Sequence, residues 1–324
     1  MPETLDEQLT KYLTDLHAIE EQALVQLRRA PDIAGDPALV RVFSEHLEET
    51  ERQEELVRQR LEARGAAPSR VKDAVAAATG LPFVLFARSQ PDTPGKLTAH
   101  AFSYEHLELA GYELLRRVAA RAGDTETVQV ASRIADEERA MAGRLAELFD
   151  TAAKASLDAV GDDDLGDRVV KYLTDAHAIE SQAIQLLERG PKIAGDDELA
   201  RLYAEHLVET REQQRLIEKR LDALGASPSR IQDAVMRLGA LNWGAFFQAQ
   251  PDTAGKLAAF AFAFEHLEIA GYELLKNVAR RAGDNETVEL AGRILEQERA
   301  AAAKLAAAFD RAAAASLEAQ GAAA

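Results

Sequence analysis

Glu20, His46, Glu49, Glu105, Glu108 and Glu138 stand where a helical reading of the sequence puts apolar residues. On a helical wheel of about 100° per residue, Glu20 falls among Leu13, Leu16, Leu24 and Leu27, and Glu138 among Ala131, Ile134, Ala142, Leu145 and Phe149. His46 shares a face with Leu39, Thr50, Gln53 and Val57, with Glu49 on its shoulder. Glu105 and Glu108 lie one turn apart and straddle the line of Ala101, Leu109 and Tyr112. Removing one carboxylate from water costs several kcal/mol, and like charges add repulsion. Two divalent cations neutralise about four such charges and take oxygen and imidazole donors, so this residue set predicts a metal site inside a helical bundle.

The same set occurs twice. KYLTDLHAIE at residue 11 returns as KYLTDAHAIE at 171, and FSYEHLELAGYELL at 102 as FAFEHLEIAGYELL at 262. One offset of 160 aligns Lys11 to Leu317 with no insertion, and roughly half of the aligned positions are identical. A period of that length marks a duplicated domain, so the expected domains are residues 1–160 and 161–324, joined near Gly161 to Asp167. The second ligand set is Glu180, His206, Glu209, Glu265, Glu268 and Glu298. Surface positions have drifted where these have not: residues 51–55 read ERQEE in one copy and REQQR in the other, matching only at Gln53 and Gln213. Glu137 becomes Gln297 beside an unchanged Glu138 and Glu298. Six of the seven histidines form the pairs His17/His177, His46/His206 and His106/His266.

The elements that must position these residues are helices. In the first copy one helix follows the stripe from Leu5 to Leu27 and ends in a loop, PDIAGDP. Asp36 caps the second helix, Pro37 opens it, and Gly65 closes it. A connector of roughly 28 residues follows, with a short helix from Ser69 and an apolar stretch around Phe83 to Phe86. The third helix runs from Thr93 to Gly123, and Asp124 caps a fourth that continues to about Ala155. The architecture expected is all-α, two tandem four-helix bundles, each with a long, helix-containing crossover between its second and third helices. That crossover makes the middle two helices run parallel.

Other ionisable and aromatic residues have plainer readings. His17, toward a stripe edge, reads as a support for the ligands, and His106 as structural. Tyr112 and Tyr272 read first as core tyrosines, and otherwise as donors to ligand carboxylates or participants in redox chemistry. Trp243 lies in the second connector opposite Phe83 of the first, which suits packing.

Composition removes whole classes. The 324 residues contain no cysteine, so disulfides, thiolate chemistry and an iron–sulfur cluster are out, and no haem is expected. Lys plus Arg is 38 against 55 Asp plus Glu, a formal charge of −17, which repels nucleic acid and anionic membrane surfaces. The acidic start MPETLDEQL is unlike a signal peptide, and no apolar run approaches the roughly 18 residues of a membrane span. A cytoplasmic location is the expectation.

The segments HLEETERQ, YEHLELAGYE and ADEERA resemble the ferritin-like bacterial stress-protein family typified by YciE and YciF, over nearly the whole of each repeat. The resemblance implies a four-helix bundle with a long crossover, a di-iron or di-manganese site, pairing of bundles, and expression under osmotic or oxidative stress. Position by position it implies ligation by Glu20 or Glu180, by His46 with Glu49 or His206 with Glu209, by Glu105 with Glu108 or Glu265 with Glu268, and by Glu138 or Glu298. The chain departs from the general ferritin-like pattern, which places His three residues after Glu on the second and fourth helices. Here those positions hold Arg52 and Met141, or Glu212 and Ala301.

Two functional classes follow. In the first, each bundle holds two iron or manganese ions and acts on oxygen or peroxide as an oxidase, peroxidase or ferroxidase. In the second, the bundles form a stress-associated scaffold with a weak or vestigial metal site. The two repeats are expected to pack about a pseudo-twofold axis as an intrachain pseudo-dimer, which disfavours assembly into a storage cage.

Overall fold

The computed structural model describes residues 4–69, 92–160, 165–228 and 253–322. The connector helix after Ser69, the stretch around Phe83 to Phe86, Trp243, and the join at 161–164 lie outside the described residues. Every regular element among the described residues is helical, the all-α architecture that the apolar spacing predicts. The chain forms two compact units, whose main stretches are residues 1–161 and 162–320.

The first half contains α1 (Leu5–Leu27), α2 (Ala30–Ile33), α3 (Pro37–Ala63), α4 (Thr93–Arg121), α5 (Thr125–Glu147) and α6 (Phe149–Val160). The second contains α7 (Leu165–Ile193), α8 (Asp197–Ala223), α9 (Thr253–Ala282), α10 (Asn285–Ala307) and α11 (Phe309–Ala319). Local chemistry sets the starts. Thr4 and Glu7 exchange bonds in a capping box at α1. At α3, Asp36 accepts from the Ala38 amide at 2.7 Å while Pro37 takes the position whose amide has no partner anyway.

Within the first half α1 packs on α3 and α4, and α5 on α3 and α4, so the four long helices form a square. Arg64 at the end of α3 meets the Asp6 carbonyl at the start of α1. Tyr104 and His100, near the start of α4, meet Ile19 and Gln26 toward the end of α1. Helix α1 is therefore antiparallel to both, and α3 and α4 run parallel across the diagonal, as the long crossover requires. The second half repeats the square with α7, α8, α9 and α10. The α1–α4 contact is close: a Cβ on Gly111 would lie 2.7 Å from Leu16 Cδ2, so only glycine fits unless Leu16 moves.

Two expectations need correction. The fourth helix does not continue to Ala155. It ends at Glu147, Leu148 leaves helical geometry at φ −101° and ψ 2°, and a new helix starts at Phe149. The break lets Phe149, Ala152, Ala153 and Leu157 bury against α4, with Phe149 edge-on to Phe102 at 5.2 Å. The Ser156 hydroxyl accepts the Gly95 amide at 2.7 Å, one of the α4 amides with no partner inside the helix. The second half repeats both contacts with Phe309 and Ser316. The segment PDIAGDP is also not all loop, because Ala30–Ile33 forms a helical turn and its counterpart continues α7 through Pro191. Among the described residues, no helix is long and apolar enough to cross a membrane.

Candidate metal centre

Each long helix of the first half turns one face inward at the same level, and polar side chains interrupt the apolar core there. His46 comes from α3, Glu105 and Glu108 from α4, and Glu138 from α5; all four are buried. Each offers one donor atom within 4.8 Å of the others. Glu20 of α1 is fully buried, and Tyr112, one turn beyond Glu108, donates its hydroxyl to Glu20 Oε1. Tyr112 is itself fully buried, so it fills the core and donates to Glu20 at once.

The hydrogen bonds leave the cluster incomplete. Glu20 Oε2, Glu105 Oε2, Glu108 Oε1 and both oxygens of Glu138 are buried with no hydrogen-bond partner. Buried polar atoms are nearly always paired, and carboxylate oxygens converging without donors can line a cation site. His46 faces the same space. Its Nδ1 meets Glu49 Oε2 at 3.3 Å, which directs Nε2 inward, 3.1 Å from Glu105 Oε2. Beyond that ion-pair approach, Glu105 Oε2 has no partner.

The electrostatics of the ion-free cluster reflect crowding. Burial pushes Glu20 up to about 8, only partly offset by the Tyr112 bond and by His46. Burial, then the neighbouring carboxylates, holds Glu108 and Glu138 well above the ordinary carboxylate range. Burial opposes charge on His46, but Glu105 and Glu49 outweigh it and raise the imidazole to about 9. An uncompensated acidic core thus holds protons that a cation of sufficient charge would displace.

The second half rebuilds the site with differences of detail. His206, Glu265, Glu268 and Glu298 again lie within 4.8 Å of one another, and Tyr272 donates to Glu180. His206 Nε2 sits 2.9 Å from Glu265 and 3.6 Å from Glu298. Gln213 donates to Glu298 Oε1 as well as to Gln297, whereas Gln53 in the first half donates to Glu137 at 3.2 Å. Glu180 Oε2, Glu265 Oε2, both oxygens of Glu268 and Glu298 Oε2 are left without partners.

Of the twelve residues singled out in the sequence, ten are buried around the two clusters. Glu49 and Glu209 stand at the rim. Arg144 holds Glu49, whose pKa falls to about 2 through its bonds to His46 and Arg144, and Lys304 lies 4.0 Å from Glu209. Each of these glutamates also meets Nδ1 of its own histidine, at 3.3 Å in the first half and 3.2 Å in the second. His17 pairs with Glu54 at 2.9 Å, and His106 bonds the Phe102 carbonyl at 2.7 Å. Gln53 and Thr50, with Gln213 and Thr210, also face the clusters and had no role assigned from sequence. Their retention in both copies was the available signal.

Fold and site together define a class: a duplicated helical bundle with a buried glutamate–histidine cluster able to hold metal ions in each half. The family model described as "Domain of unknown function (DUF892)" matches residues 4–158 and again 164–318. The chain belongs to that family and carries its domain twice. No solved structure matches the chain.

Proposed function

We propose that each half is a ferritin-like metal centre that holds two iron or manganese ions and reduces oxygen or peroxide in stress defence. The observation that carries this reading is the set of partnerless carboxylate oxygens around Nε2 of one oriented histidine. Charge sets the number of ions. Glu20, Glu105, Glu108 and Glu138 bring four negative charges when ionised, which two divalent cations balance. A single cation would leave about two of those charges buried and unpaired.

When bound, iron or manganese supplies the one-electron chemistry that oxygen and peroxide require. The remaining work falls to this chain's residues. Tyr112 fixes Glu20 through one oxygen and leaves the other for a cation. Glu49, held by Arg144, keeps the His46 lone pair facing inward. Leu13, Leu16, Ile134 and Leu145, all nearly or fully buried, keep bulk water from the cluster.

The test is metal content after expression with iron and manganese and passage through a desalting column. About four equivalents per chain, two in each half, is the expected result. A folded protein that carries almost none and takes up none on reconstitution would overturn the proposal. The scaffold reading would then stand, with the glutamates kept as buried, protonated acids.

A further inference from the structure

We propose that the first half carries a second, outer divalent-cation site built from His17, Glu21 and Glu54, and that the second half lacks it. These three side chains each offer a donor atom within 4.8 Å of the others, on the seam between α1 and α3. The donor set is mixed: an imidazole nitrogen from a ring only 3% exposed, and two half-buried carboxylates. Imidazole with two carboxylates suits a first-row divalent ion, and partial exposure leaves room for water to complete its coordination. The site lies just outside the buried centre, because Glu21 follows Glu20 on α1 and Glu54 follows Gln53 on α3.

The second half shows that the seam does not need these charges in order to pack. Ser181 stands at the position of Glu21 and Gln214 at that of Glu54, and the Gln214 amide donates to the Ser181 hydroxyl at 2.7 Å. His177 pairs instead with Glu218, whose counterpart in the first half is Arg58. In the first half the Arg58 Nε lies 3.9 Å from Glu54, but its terminal nitrogens hold Glu55 and Glu62. Two carboxylates beside one imidazole therefore carry excess negative charge that a divalent ion removes. His17 Nε2, now 2.9 Å from Glu54, is the nitrogen such an ion would take.

The site stands on its own donors and does not depend on loading of the buried centre. Manganese(II) is the probe, added to the full chain while the sharp resonance of the free aquo ion is followed by electron paramagnetic resonance. The double variant Glu21→Ser, Glu54→Gln installs the residues of the second half, so the seam keeps a packing the protein already uses. It is expected to bind one equivalent fewer than the parent, with unchanged helix content by circular dichroism. The converse variant, Ser181→Glu with Gln214→Glu, is expected to gain affinity at the second seam. Superimposable titrations of the parent and the first variant would overturn the proposal. Should the buried centres bind nothing, the difference of one equivalent would still be read, so the two ideas fail separately.

Discussion

At the scale of single residues, Glu138 opposes stability in the ion-free protein and, under the proposed function, would hold metal in the loaded one. Both of its oxygens lack partners, and its pKa is raised first by burial and then by Glu108 and Glu105. Glu138→Gln removes that charge, so with chelator present we expect stability to rise at pH 8 by about 1 kcal/mol or more. Without chelator the same variant should lose the stabilisation that metal confers. Parent behaviour follows from the same linkage. Glu20, Glu108 and Glu138 have folded pKa values above their unfolded ones, so their protonated forms favour the fold at low pH. That contribution is complete below the ordinary carboxylate range of about 4.5 and is lost as pH rises through the value near 8 for Glu20. Thermal melts between pH 5 and 9 should fall steeply with chelator and much less with metal, and a protein indifferent to chelator at every pH would contradict the ligand assignment. Glu20 and Glu138 were legible in sequence because a charge in the middle of an apolar stripe has no other direction to point. The direction of Glu49 was not: on the shoulder of a stripe it can turn either way, and its partner Arg144 lies 95 positions later.

At the scale of elements, the link between α4 and α5 shows how capping and ion pairing combine. Asp124 accepts the Thr127 amide at 2.9 Å, and Arg60 and Arg64 from the end of α3 reach the same carboxylate at 3.0 and 2.8 Å. Burial raises the Asp124 pKa, but the Thr127 bonds and Arg60 outweigh it and hold it at about 2. The sign is opposite to that of the core glutamates: stability is present above the unfolded value near 4 and lost as pH falls toward 2. Asp284 caps α10 in the same way, yet it meets only Arg220 of this pair, because Leu224 replaces Arg64. Asp124→Ala should therefore cost about 2 kcal/mol and Asp284→Ala measurably less, read from urea unfolding at neutral pH. Equal losses would mean that the second arginine contributes nothing. Asp124 was legible because a cap followed by a helical stripe is a local signal. The break at Leu148 was not, since neither glycine nor proline marks it and the apolar spacing runs straight through; Phe102, far away in sequence, is what draws Phe149 inward.

At the scale of the molecule, duplication gives two centres whose donors are segregated by half. Among the described residues, each buried cluster draws its donors from three helices of its own half, His46 to Glu138 in one and His206 to Glu298 in the other. The duplication itself was plain in the sequence, because the 160-residue offset runs without a gap, but whether the second site kept its donors together required side-chain positions. Segregated donors make loading divisible. His46→Gln with Glu138→Gln should remove the buried metal of the first half and leave that of the second, so metal in the buried centres should fall to about half and not to zero. The matched variant, His206→Gln with Glu298→Gln, should give the complementary half. A loss of all metal from either variant would mean that the two centres load as one unit. The net charge of −17 bears on both alike, since a strongly anionic surface concentrates cations near it and salt screens that effect. Raising ionic strength from about 0.01 to 0.15 M shortens the screening length from about 30 to 8 Å, so metal uptake should slow in both single-half variants while the final stoichiometry holds. Slowing in one variant alone would place the attraction in local groups, such as the His17–Glu21–Glu54 seam of the first half, and not in the charge of the whole chain.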